Sequence, residues 1–293
     1  MQKALPKRIC NLQFKDTPES ERKYHPDWKR LSGVKLPKYV DLRSRLPSVY
    51  DQGSIGSCTA NAICGAYQYC APMFSGSRLF LYYNIRMLYM QWNNITIDRD
   101  TGGYISDGIN SLQTTGVCSE ASWPYITYLN KNHMFDRPTT VCYTEALNHT
   151  VLSGYSVQQT IADMKRTLFT LGPFVVGIRV YDSFYGANST NNGVLPMPKS
   201  TETYHGGHAI LICGYNDNTQ RWICRNSWGV YWGDRGYCYL PYAYLTSSLI
   251  GASDFWVITN NVNKPKPKPK TNIVSPNINN RQKKFEKFFH KNH

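Results

Sequence analysis

The sequence predicts an α+β fold of two lobes, helical first and β-rich second, with a cleft between them. Three observations predict it. Apolar residues recur at spacings of three and four in the first half, and short β-rich runs bounded by Gly, Asn and Asp fill the second. The third is size: 293 residues, 41% hydrophobic and 14% aromatic, suffice for a substantial buried core. That composition excludes disorder along the whole length.

Residues 1–34 are polar, charged and low in aliphatic content, and read as an arm outside the core. LPKYVDLRSRLPSVYDQGSIGSC (36–58) carries two prolines and then a Gly-Ser loop, so it is expected to run extended across a surface. At Cys58 a helix begins, with Ala62, Ile63, Ala66, Tyr67 and Cys70 on one face, until Pro72 and Gly76 break it. Leu79–Trp92 predicts a second helix and Asp107–Thr115 a third. Four runs then read as strands: GPFVVGIRVY (172–181), HAILICGY (208–215), RWICRNSW (221–228) and GYCYLPY (236–242). After Val262, KPKPKPK enforces an extended rod of about 20 Å, a spacer. Beyond it, RQKKFEKFFHKNH sets Phe285, Phe288 and Phe289 at helical spacing among basic residues, a helix that would be marginal alone. The expected division is therefore an arm (1–34), a folded body (35–262) and a disordered basic tail (263–293).

The formal net charge of +14 is spread unevenly: +4 in residues 1–34, +2 in 35–262 and +8 in 263–293. A nucleic-acid-binding fold should carry its charge on the domain that docks, so the body is not read as one. A polyanion partner (nucleic acid, nucleotide or anionic membrane) is expected only of residues 264–293. No apolar run approaches the roughly 18 to 20 residues that span a bilayer. Nine cysteines are too few for a disulfide scaffold and odd in number.

Cys58 is the first candidate for chemistry. It follows a Gly-rich loop and stands at a predicted helix start, where unpaired N–H groups and the helix dipole favour a thiolate. A nucleophile needs a base, and a base needs orientation. His208 opens a β-run, and Asn226 lies between a β-run and a Gly-Trp turn. If those strands are neighbours, the Asn226 amide can hold one ring nitrogen of His208 and leave the other free to share a proton with Cys58. Each residue alone reads equally well as a packed cysteine, a strand-end histidine and a turn asparagine.

Gln52 and Cys58 in DQGSIGSC, His208 in GGHAILICGY and Asn226 in NSWGVYWGDRGY occur in an order that resembles the papain-like (family C1) cysteine peptidases. VDLR (40–43), TGGY (101–104) and GPF (172–174) extend the likeness over 36–258. GSCTANA and WGDRGYCYLPYAYL look most similar to the cathepsin-B-like members of bacteria and giant DNA viruses.

The resemblance implies a papain-like two-lobe fold and a thiol endopeptidase acting on peptides or proteins through an acyl-thioester, without cofactor or metal. Cys58 would attack, His208 would move the proton, and Asn226 would hold His208. Gln52 and the Cys58 N–H would stabilise the oxyanion. Gly102 and Gly103 would pair with the substrate backbone, Gly207 and Ala209 would line an adjacent pocket, and Trp228 and Trp232 would shield the His–Asn pair and flank the leaving group.

Three positions depart from the family pattern: Thr59 replaces a Trp, Ile55 a disulfide cysteine, and a single His133 stands where a cathepsin-B occluding loop has a histidine pair. His205 has no acidic or thiol neighbour in sequence, which argues against zinc. By position the arm corresponds to a pro-segment, though a short one, and its Cys10 is a candidate cap for Cys58. No signal peptide is evident, so the expected location is the reducing cytosol of a host cell, or a virion if the protein is viral, not a lysosome or the outside. Two other readings remain open: a catalytically silent papain-like scaffold, and a polyanion-binding protein acting through its tail.

Overall fold

The computed structural model describes residues 8–15, 22–94, 99–126, 134–151, 153–186, 192–248 and 250–259. His133 and residues 264–293 lie outside these, so the fold adds nothing to the occluding-loop or polyanion expectations.

The first lobe is built on three helices. Helix α2 (Cys58–Cys70) starts at the predicted residue and is buried on nearly every face. Helix α3 (Arg78–Asn93) is capped by Ser77, whose side chain accepts from the Phe80 N–H, and it ends at Asn94 in the left-handed region. Helix α4 (Ile105–Thr114) begins two residues before the sequence reading, because Ile105 packs into the core as its first turn. A short α1 (Trp28–Ser32) precedes these in the arm, and α5 (Thr140–Ala146) follows them.

Among the described residues the second lobe is an antiparallel sheet of seven strands. β1 is Tyr39–Asp41, β2 Ser153–Ser156, β3 Phe174–Tyr181, β4 Tyr204–Asn216, β5 Arg221–Arg225, β6 Tyr237–Pro241 and β7 Ala252–Thr259. Their order is β2-β7-β3-β4-β5-β6, with β1 paired to the far end of β4, Tyr39 opposite Asn216. Helices α6 (Ile161–Thr170), α7 (Asp182–Tyr185) and α8 (Tyr242–Thr246) connect the strands. The sequence reading missed β2 because SGYS carries no apolar alternation. It also missed α6, although Thr160 followed by Asp163 is a cap signal, and the Thr160 hydroxyl does accept from the Asp163 N–H.

β4 is the wall between two cores. Ala209 and Leu211 face the helical cluster with Ile63, Leu81 and Ile109, and Val175 of β3 joins them. Ile210 and Ile212 alternate to the other face and pack with Phe174, Val176, Trp222 and Leu240. Gly65 of α2 lets the helix lie close to the sheet: a Cβ there would come 2.6 Å from Arg225 Nη1 and 3.4 Å from Leu211. Buried Trp222 lies between Tyr215 and Tyr242 (ring centroids 6.4 and 4.6 Å), and its indole N–H donates to the Tyr242 carbonyl at 3.3 Å. Trp222→Ala should cost about 3–5 kcal/mol in urea unfolding, because the strands on both sides limit collapse of the cavity.

Candidate active site

Cys58 lies at the N-terminus of α2, fully buried, and its sulfur meets the backbone N–H of Ala209, the residue after His208 on β4. The helix start and the strand therefore bring residues 150 positions apart side by side. The His208 ring is held from the other side, where its Nε2 lies 2.7 Å from Asn226 Oδ1. That oxygen also accepts the Ser227 N–H at 2.8 Å, so it is an acceptor and Nε2 carries the proton. Nδ1 of His208 is buried with no partner.

Gln52 is clamped at both ends of its amide. Its Nε2 donates to the Ile55 carbonyl at 2.9 Å, and its Oε1 accepts from Ser227 Oγ at 2.6 Å. Ser227 thus links Gln52 to Asn226. The same loop is stitched by Gln52 N–H to Ser227 O (2.8 Å) and Gly229 N–H to Tyr50 O (3.0 Å). Trp228 covers His208, with ring centroids 5.0 Å apart, and Trp232 packs behind it across Phe184. Gly103 turns its carbonyl toward the cleft and accepts from Thr59 Oγ1 at 3.4 Å, so the residue that departs from the family pattern has a partner. His205 bonds Asp182 Oδ1 at 2.6 Å, an acidic neighbour that the sequence does not reveal. Among the described residues no three His, Cys, Asp or Glu converge as metal ligands.

The arm fills this cleft. Leu12 N–H donates to Gly207 O at 3.0 Å and Gln13 N–H to Gly103 O at 3.3 Å. Asn11 lies so close to Gly102 that a Cβ there, at φ 69°, would collide with the Asn11 carbonyl. Leu12 is buried in the same cluster as Cys58 and Ala209, which corrects the reading of residues 1–34 as wholly outside the core. Cys10 Sγ lies 3.2 Å from the Tyr185 hydroxyl, and no disulfide joins Cys10 to Cys58.

The profile of the papain family cysteine proteases matches residues 36–250. This chain belongs to the papain family. A peptidase C1-like protein of Acanthamoeba polyphaga mimivirus is 38% identical over 237 residues, 76% of this chain and 73% of that protein. Cathepsin S of Rattus norvegicus is 28% identical, covering 71% of this chain and 62% of its own length. Xylellain, a cysteine protease from Xylella fastidiosa, superposes with a TM-score of 0.76 at 35% identity, over 86% of this chain and 97% of that one.

Burial controls the charges of this papain-family site. It pushes the Cys58 thiol up from 9.0 to about 12, against smaller lowering from the Ala209 N–H. It pulls His208 down from 6.5 to about 4, with Asn226 opposing. Both shifts favour the uncharged form, a thiol at Cys58 and a neutral imidazole at His208.

Two contacts escaped the sequence reading. Tyr125, whose hydroxyl bonds both Ser57 Oγ (2.6 Å) and the Gln52 carbonyl (2.9 Å), sits in a loop with no motif. Asp100 accepts from the Gly56 N–H at 2.6 Å and from the Tyr82 hydroxyl, tying the approach to Cys58 to Gly102. For Asp100, TGGY immediately downstream was the available signal.

The pKa directions set a pH window for the closed form. The depressed His208 value contributes stability above pH 6.5 that is lost as pH falls toward 4, and the raised Cys58 value contributes stability lost as pH rises from 9 toward 12. Calorimetry of the full chain should find the highest Tm between about pH 6.5 and 9, and His208→Gln should make the acid limb shallower.

Proposed function

We propose that the chain is a thiol endopeptidase acting through Cys58, His208, Asn226 and Gln52. The observation that carries this is the buried His208–Asn226 hydrogen bond, which leaves Nδ1 unpartnered beside the strand position that meets Cys58. Once the arm has left, water and a peptide replace the apolar cover, and the thiol proton can pass to Nδ1. The thiolate attacks the peptide carbonyl. As the C–N bond breaks, His208 gives its proton to the leaving amine, and a thioester remains. Water, deprotonated by His208, then attacks the thioester and frees the acid and Cys58. The Cys58 N–H and the second N–H of the Gln52 amide would meet the oxyanion, each such donor being worth about 10²–10³ in kcat.

The path of the arm supports internal cleavage. Residues 8–15 pass through the whole cleft, from Asp51 and Trp228 at one end to Trp92 and Tyr104 at the other, so a peptide can extend past both ends. Within the family, the viral and bacterial relatives support the bacterial and giant-virus branch. The cathepsin-B affinity rests on GSCTANA and WGDRGYCYLPYAYL in the sequence, since the matched cathepsins include S, K and L types. Nine cysteines outside disulfides fit a reducing compartment. No described helix is long and apolar enough to cross a membrane.

The arm acts here as an inhibitory pro-segment. Leu12→Asp in the full chain places a charge in an apolar pocket and should unseat it. We expect Cys58 labelling by a thiol-reactive epoxide, and hydrolysis of peptides, to rise at least about tenfold at pH 7, within the range such a buried charge implies. Both should vanish with Cys58→Ala. Unchanged labelling with Leu12→Asp would count against inhibition. Absence of any Cys58-dependent hydrolysis would favour the silent scaffold.

A further inference from the structure

One arm contact is not explained by blocking the nucleophile. Arg8 reaches past the Cys58–His208 pair and forks onto Asp51: Nη1 lies 3.0 Å from Oδ1, and Nη2 3.2 Å from Oδ2. Nη2 also points at the Trp228 carbonyl at 3.5 Å. The Arg8 side chain is 13% exposed and that of Asp51 51%, so the guanidinium is covered while the carboxylate stays on the rim.

The carboxylate is also held by its own loop, independently of Arg8. Asp51 Oδ1 accepts the Gly53 N–H at 2.8 Å, and Asp51 bridges Trp228 through the backbone. Gly229, at φ 79°, leaves room for the carboxylate against the loop, since a Cβ there would stand 2.9 Å from Oδ2. Two carboxylate oxygens and a carbonyl thus face one planar donor group. This geometry suits the arginine fork better than the point charge of lysine.

The position of this site relative to the chemistry follows from proton transfer. The leaving amine must lie at His208, and His208 is covered by Trp228. Residues beyond the cleaved bond therefore run over the Trp228 side, away from Gly103 and Gly207. We propose that Asp51, with the Trp228 carbonyl, is a subsite for an arginine side chain on the leaving-group side of the substrate, which Arg8 occupies in the closed form. Asp51 is a specificity-determining residue in this proposal and takes no part in bond breaking. The inference rests on the peptidase reading above.

The test uses the full chain carrying Leu12→Asp. Quenched-fluorescence peptides of one sequence carry Arg, Lys, Gln or Glu at the first or the second residue beyond the cleaved bond. At one of the two positions, Arg should exceed Gln in kcat/KM by about 3–10-fold, the range for a forked, partly exposed ion pair, with Lys between them. Asp51→Asn should bring the Arg-to-Gln ratio close to 1, and Asp51→Lys should turn the preference toward Glu. An Arg-to-Gln ratio that is the same with Asp51 and with Asn would overturn the proposal. An aminocoumarin substrate, which has no residue beyond the cleaved bond, separates the two readings. If it is hydrolysed in a Cys58-dependent way while the peptide ratio is flat, only the subsite fails; if it is not hydrolysed, the peptidase reading fails, and the subsite with it.

Discussion

The site depends on one carbonyl oxygen. Asn226 Oδ1 accepts from His208 Nε2 and from the Ser227 N–H, and each donor belongs to a different part of the fold. The first bond fixes the imidazole plane and its tautomer, so Nδ1 is left as the free nitrogen. The second fixes the turn whose Ser227 hydroxyl reaches Gln52 and whose Trp228 covers the ring. Removing that oxygen would leave two buried N–H groups without an acceptor, each costing about 1–3 kcal/mol. Orientation of the imidazole, its shielding and the placement of the amide at residue 52 are one network and not three independent features.

Much of this was legible in the chain itself. The break at Pro72 and Gly76, the apolar spacing after Cys58 and the β-runs around His208 and before Asn226 are local signals, and local signals survive folding. α2 begins at the residue read from sequence for that reason. What was hidden depends on contacts across the chain. Ser227 gains its role only because residue 52 lies beside it, and Leu12 becomes a core residue only because Gly207 and Gly177 leave space for it. A leucine in a polar segment carries no periodicity to announce it. β7 and α6 were missed for another reason: ASDFWVIT mixes charge with aromatics, and IADMKRTLFT has a broad polar face, so neither matches a simple template.

The pro-segment role proposed for the arm would separate fold from reactivity. Among the described residues the arm's backbone bonds the cleft glycines at Gly207 and Gly103, and Leu12 packs in the cluster that holds the fully buried Cys58. In a dry site the ion pair loses the solvation that would stabilise each charge, and the neutral pair becomes the lower state. The helix dipole at Cys58 and the Asn226 oxygen still favour the charged forms. Burial outweighs them at both groups, while the hydrogen bonds among His208, Asn226, Ser227 and Gln52 stay in place.

The strand between the two cores has a mechanical consequence. Since Ala209 and Leu211 belong to one core and Ile210 and Ile212 to the other, the lobes share a load across every second residue of β4. A motion that spread them would open both cores at once, against close-packed interiors on either side. The lobes therefore behave as a fixed anvil. Departure of residues 8–15 would uncover Cys58 while leaving both of these cores closed on β4.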